Sequence, residues 1–169
     1  MEPLLTDLLC THCGLCCGGT FFSDLELAQG EAIKLEAMGL QAEEEDEGFV
    51  LNQPCAALKE KRCSIYGHRP GCCRTFECLL LQNVRRGDIS LSRAKAIVAE
   101  TLTLIGEANR LLAELGHSDQ CASLKERVGD VLLLGESSNG DLDSKRDQLQ
   151  SVMESIEGLV EHRFLGRVT

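Results

Sequence analysis

In the second half of this 169-residue chain, apolar residues fall on successive helical stripes. Leu91, Val98, Leu102, Ile105, Leu112 and Leu115 are spaced by three, four or seven residues, and Gly116 follows as a stop signal. A second stripe, Cys121, Leu124, Val128 and Val131, predicts a helix over residues 120–134, with Cys121 as a buried thiol. A third, Leu142, Leu149, Val152, Ile156 and Leu159, predicts a helix over residues 142–160. The polar stretch 135–140 reads as the loop between them. Three amphipathic helices joined by short turns make an antiparallel bundle or a hairpin packed on the first half, and their stripes read as core faces.

The first half is patterned differently. Ser23 followed by Glu26 has the capping-box spacing and predicts a helix over residues 23–39, with Gly30 inside it and Gly39 ending it. The acidic run of residues 43–47 reads as a solvated loop, because five adjacent like charges repel. Phe49 to Leu51 and Cys63 to Tyr66 read as two short strands flanking a turn that holds Pro54 and residues 59–62. No internal repeat is present. The chain divides near Gly87 into a segment 1–87 and a helical segment 88–169, predicted to pack together as one compact unit. The expected class is α+β and predominantly helical: a small irregular cysteine-rich metal module with short strands, packed against three helices.

Charge and composition narrow the functional classes. The net charge is −10, which opposes binding to polyphosphate backbones or anionic lipid, so neither nucleic acid nor membrane is an expected partner. With six aromatic residues and no Trp, a base-stacking platform is also disfavoured. The longest uncharged stretch, residues 8–23, is too short and too cysteine-rich to span a bilayer. The acidic opening MEPLLTDLLC lacks the features of a secretory signal, so the expected location is cytoplasmic. In that reducing compartment, clustered cysteines read first as metal ligands or redox groups rather than as disulfides.

The chain has ten cysteines, and nine of them lie between Cys10 and Cys78. Cys10-x2-Cys13-x2-Cys16-Cys17 has metal-knuckle spacing: two intervening residues let the chain turn both sulfurs toward one ion, and nearby glycines let amides approach them. A second group follows at Cys55, Cys63, Cys72, Cys73 and Cys78. Zinc sites and iron-sulfur clusters each take about four thiolates, so eight ligands would fill two sites. Adjacent side chains such as Cys16 and Cys17 are expected to point apart and to serve neighbouring sites. Residues 59–86 carry a net charge of +5 in an otherwise acidic protein. That charge reads either as compensation for thiolates or as a basic surface. His12 and His68 read as surface or supporting residues, and His117 and His162 as ordinary residues near helix ends.

These motifs, with Cys63-Ser-Ile-Tyr-Gly-His-Arg-Pro-Gly-Cys-Cys-Arg-Thr-Phe-Glu-Cys78, resemble the CxxCxxCC, or YkgJ-like, cysteine cluster family over residues 9–78. The resemblance implies a zinc- or iron-chelating domain. It also implies the ligand set Cys10, Cys13, Cys16, Cys17, Cys55, Cys63, Cys73 and Cys78, because the family pattern places its ligand at Cys73 and leaves Cys72 as a neighbouring thiol or a substitute. Arg69, Pro70 and Tyr66 then shape the turn around the ligands.

The leading expectation is a metal-binding protein with two neighbouring thiolate sites, holding Zn²⁺ or an iron-sulfur cluster in a structural, electron-transfer or accessory role. The C-terminal helices are the expected docking face for any protein partner. Two other readings compete with it. Flagellin lysine N-methylases contain a related cysteine region, which implies a metal-dependent methyltransferase-like enzyme. Vicinal Cys16-Cys17 or Cys72-Cys73 could instead serve thiol-disulfide exchange. No catalytic constellation, phosphate-binding loop or hydrolase triad is visible in the sequence.

Overall fold

The structure is a computed structural model that describes residues 4–46, 48–133 and 140–166. Helix α1 (Leu5–Cys13) opens the chain, followed by β1 (Asp24–Leu27), α2 (Gln29–Ala37), β2 (Glu43–Glu45) and β3 (Gly48–Asn52). The hairpin β4 (Leu58–Lys59) and β5 (Arg62–Cys63), a 3-10 turn over Tyr66–His68, and the short helices α3 (Gly71–Thr75) and α4 (Leu79–Arg86) come next. Long helices finish it: α5 (Leu91–Glu114), α6 (Leu124–Leu133) and α7 (Gly140–Leu159), which runs on into wider π-helical turns over Val160–Leu165. The fold is the expected predominantly helical α+β arrangement.

The long helices follow their stripes. Ser90 caps α5 by accepting from the Arg93 amide, and the helix buries Ala94, Ile97, Val98, Thr101, Ala108, Leu111 and Leu112. It stops where Gly116 takes the left-handed conformation at φ +86°. The second helix begins later than its pattern implied, at Leu124. There Ser123 and Glu126 exchange bonds: the Ser123 amide donates to the Glu126 carboxylate at 2.9 Å, and the Glu126 amide to Ser123 Oγ at 3.3 Å. Cys121 precedes that cap and is exposed, not buried on the stripe, because the chain there is a turn whose Cys121 amide is held by Asp119. Gly140 opens α7 rather than closing a loop; residues 135–139 of the expected loop lie outside the described residues.

Three further expectations are corrected in the first half. Residues 24–27 form a strand, not a helix, since Leu25 and Leu27 alternate with acids and pair with Leu51 and Phe49 of β3. Ser23 Oγ donates to Asp24 instead of capping. The helix starts at Gln29, where the Glu31 carboxylate reaches back to the Ala28 amide at 3.2 Å, and Gly39 ends it at φ +83°. The acids Glu43, Glu44 and Glu45 form edge strand β2, not a loop: their backbones pair with β3 while all three side chains remain exposed. A charged edge discourages pairing with other chains. The two expected strands do not pair with each other. β3 is the centre of a β1-β3-β2 antiparallel sheet, and Cys63 belongs to a separate hairpin. Its turn residues Glu60 and Lys61 both have positive φ, as a two-residue hairpin of this handedness requires.

Three buried clusters organise the molecule. One lies among α5, α6 and α7, around Leu111, Leu112, Val128, Leu149 and Ile156. A second joins Leu9 of α1, Leu15, Leu80 and Leu81 of α4, Ile97 and Val98 of α5, and Phe164; Cys10, Cys13 and Cys78 pack against it. The third holds Leu27, Ala32, Leu35, Leu40, Leu51 and Ala57 beside the sheet, with Cys55 and Cys63 against it. The second cluster crosses position 87, so the cysteine-bearing part and the long helices share a core.

Gly19 ties these parts together. It is buried at φ +73°, and its carbonyl accepts from the Leu124 amide at 3.2 Å. A Cβ there would stand 3.2 Å from Ser123 Cα and 3.3 Å from Pro54 N, both backbone atoms that cannot swing away. Gly19→Ala is therefore expected to destabilise the protein by about 2 kcal/mol, the usual cost of forcing a side chain into a disfavoured backbone region. Denaturant unfolding measures it, with Gly30→Ala, whose Cβ meets nothing within 4 Å, as the tolerated control.

Candidate metal centre

Six separate local devices position the cysteines. Cys10 and Cys13 lie one turn apart on α1, so their side chains share a face. Gly14, at φ +73°, ends that helix, and its amide bonds to the Cys10 carbonyl. The chain then turns back through Cys16 and Cys17. The Cys55 amide donates to the Cys17 carbonyl at 2.8 Å, which fixes the segment after β3 against that turn. Cys63 ends β5, Cys72 and Cys73 occupy the first turn of α3, and Cys78 stands at the cap of α4.

Cys17 is the hub. Its charge would act on Cys10, Cys13, Cys55, Cys63 and Cys73, and that of Cys78 on Cys10 and Cys13. The Sγ atoms of Cys16 and Cys17 are 3.9 Å apart. That corrects the expectation that adjacent side chains would diverge: both follow the tight turn after Gly14 inward. Cys72 and Cys73 form a second vicinal pair of free thiols, and Cys72 raises Cys73. Electrostatic reach thus links the residues of the expected set to one another pair by pair, with Cys72 next to Cys73. Among the described residues, no three His, Cys, Asp or Glu side chains stand together in metal-holding geometry. His12 is exposed and contacts Thr11; His162 Nδ1 lies 2.8 Å from the Gly158 carbonyl, and His117 faces Asp130.

Burial dominates the acid-base behaviour of most of these thiols. It pushes the Cys10 thiol up to about 11, with the Cys78 and Cys17 charges adding to it, and Cys13 up to about 12. Cys73 rises to about 12 through burial and then the Cys72 charge. Cys17 is raised first by its bond to Cys16 and then by burial. Burial also raises Cys55, Cys63 and Cys78.

Backbone amides oppose that trend in a repeated way. An N–H two or three residues further on acts on the sulfur at Cys13 (Leu15), Cys55 (Ala57), Cys63 (Ile65) and Cys78 (Leu81, then Leu80), and favours the thiolate. Arg69 adds a positive charge that acts on Cys10, Cys17 and Cys63. Its guanidinium is fixed in place, with Nε donating to the Tyr66 carbonyl at 3.0 Å, a second nitrogen to the Cys73 carbonyl at 3.4 Å, and its plane 3.6 Å from the Tyr66 ring centre. Other cations of the basic stretch are engaged elsewhere, Arg85 with Glu77 and Arg86 with Asp88.

The donor chemistry fits a thiophilic ion or cluster. All the gathered donors are sulfur, amides are already aimed at four of them, and a cation faces the group. The Cys16–Cys17 separation also matches the edge of a tetrahedron built from metal–sulfur bonds of about 2.3 Å, which is about 3.8 Å long.

Glu31 was not singled out from the sequence, yet it holds the α3 end of the site. Its carboxylate accepts from the Gly71 amide at 2.7 Å, forty residues away in sequence. That bond, then the one from Ala28, holds its carboxyl below the ordinary carboxylate range. A depressed carboxylate contributes stability above its unfolded-state pKa and loses it as pH falls through the folded value. Glu31→Gln, or acidification through the lowered carboxyl, should therefore reduce the protection factor of the Gly71 amide by about five- to tenfold. Amide exchange by NMR reads this directly, with the Leu111 amide as an unaffected reference.

An irregular cysteine-bearing lobe on a helical scaffold, with sulfur as its gathered donor, defines a cysteine-cluster domain. The chain belongs to the CxxCxxCC family, described as a "putative zinc- or iron-chelating domain", whose model matches residues 9–96. No curated protein and no solved structure matches it. Among the described residues, no helix is long and apolar enough to cross a membrane.

Proposed function

We propose that the protein binds zinc or an iron-sulfur cluster through Cys10, Cys13, Cys16, Cys17, Cys55, Cys63, Cys73 and Cys78, divided between two neighbouring centres. The observation that carries this reading is the packing of separate cysteine-bearing segments against one another: the Cys55 amide donates to the Cys17 carbonyl at 2.8 Å, and the Cys16 and Cys17 sulfurs lie 3.9 Å apart. Thiolates gathered in a half-buried site need a cation. A bound ion would supply that positive charge, and a cluster would add a site for one electron. Arg69 orients and offsets the sulfur charge from the α3 side, while α1, α4 and α5 supply a rigid wall. In this reading residues 1–87 are the chelating part and 88–169 its scaffold, with a structural or electron-transfer role.

Anaerobic purification followed by elemental analysis and an absorption spectrum tests the proposal. About two zinc ions per colourless chain, or iron and sulfide with a broad brown absorption, is the expected result. Protein that carries neither metal after purification, and takes up neither on anaerobic addition, overturns it.

The 3.9 Å approach of Cys16 and Cys17 favours one second reading, a vicinal dithiol active in exchange. Exchange needs an accessible thiolate, whereas the bond to Cys16, then burial, push the Cys17 thiol up in the absence of a bound cation. Mild alkylation read by mass spectrometry separates the two. Labelling of Cys121 alone in the native protein supports chelation, and labelling of Cys16 and Cys17 supports exchange.

A further inference from the structure

A cleft of about 340 Å³ opens between α2 and the Gly67–Arg74 stretch, floored by Leu35 and Pro70. Its rim carries Lys34 from one side and His68, Arg69 and Arg74 from the other. In a protein of net charge −10 this is a local reversal of sign. The single acid in the lining, Glu31, already accepts hydrogen bonds from two backbone amides. Lys34 and Arg74 form no ion pair among the described residues; their charges act on Glu31 from a distance. Arg69 is fixed by Tyr66 and Cys73, so one wall of the cleft is rigid before anything enters.

We propose that this cleft binds a compact dianion, a small molecule bearing a phosphate or a pair of carboxylates. Lys34 and Arg74 grip it from opposite walls, and the fixed Arg69 side chain forms part of the lining between them. Two cations on different elements, converging on a partly enclosed polar cleft, select charge and size together. The site lies outside the gathered sulfurs and does not require the chelation reading.

The test is an amide NMR titration of the full chain as purified with inorganic phosphate and, separately, with succinate. Saturable shifts at Lys34, Gly67, His68 and Arg74 are expected, and the tighter of the two anions identifies the source chemistry. The double variant K34Q/R74Q should weaken binding by about tenfold or more, while Arg110→Gln, remote on α5, should leave it unchanged. If the double variant fails to fold, K34Q alone, at an exposed helix position, carries the comparison. No saturable shift with either anion overturns the proposal, as does equal weakening by Arg110→Gln, which would mark general charge attraction.

Discussion

If the protein chelates as proposed, replacing Cys17 with serine is expected to lower metal affinity by more than about 100-fold, the largest loss from any single cysteine. The expectation follows from position. Five other thiols lie within its field, its carbonyl holds the Cys55 amide, and its sulfur touches that of Cys16. Substituting groups that merely support a metal ligand already costs 10- to 100-fold, so removing a shared donor exceeds that range. Competition with a chromophoric chelator measures the change. Cys121→Ser is the matched control, since Cys121 is exposed and its nearest partner is Asp119. Equal affinities for the two variants would remove Cys17 from the centre. Circular dichroism would show whether the helices persist, as they should, because α6, α7 and the C-terminal part of α5 bury their residues in a different cluster.

Phe164→Ala is expected to destabilise the protein by about 3–5 kcal/mol, lowering the melting temperature by about 10 °C. Phe164 is 1% exposed and packs in the cluster shared by α1, α4 and α5. Its ring lies 5.1 Å from that of Phe21, which also touches the α5–α7 cluster. Removing it would open a cavity where two cores meet, and neither could close the space without moving a helix. Thermal unfolding checks this. A loss below about 1 kcal/mol would mean that the π-helical turns can repack.

Helical content in the second half was legible because its apolar residues repeat with a helical period over two dozen residues. The first half was harder to read for a physical reason: its strands are two to five residues long and its helices no longer than nine, and tertiary pairing rather than local preference decides them. Leu25 and Leu27 alternate over too few positions to outweigh the Ser23–Glu26 spacing, although the partner strand Phe49-Val50-Leu51 settles the matter in space. The genuine capping box sat elsewhere, at Ser123 and Glu126, where the apolar stripe seemed to extend upstream. At the site, cysteine spacing was enough to nominate ligands. It could not reveal that α1 would carry the first two, that Cys16 and Cys17 would converge, or that Glu31 would anchor α3. Each of those depends on contacts between residues distant in sequence or on a single left-handed glycine.

The sulfurs lie along a seam. On one flank Cys10, Cys13 and Cys78 lean on the helical core, and on the other Cys55 and Cys63 lean on the six buried residues beside the sheet. A core that small has little cohesion of its own. An inorganic centre spanning the seam would act as a rivet between a stiff body and a light flap, so oxidation or demetallation would be felt first as a change in how firmly the sheet is fastened. Local loosening of residues 24–65, with the long helices still intact, would then be the mechanical signature of the state of the sulfurs.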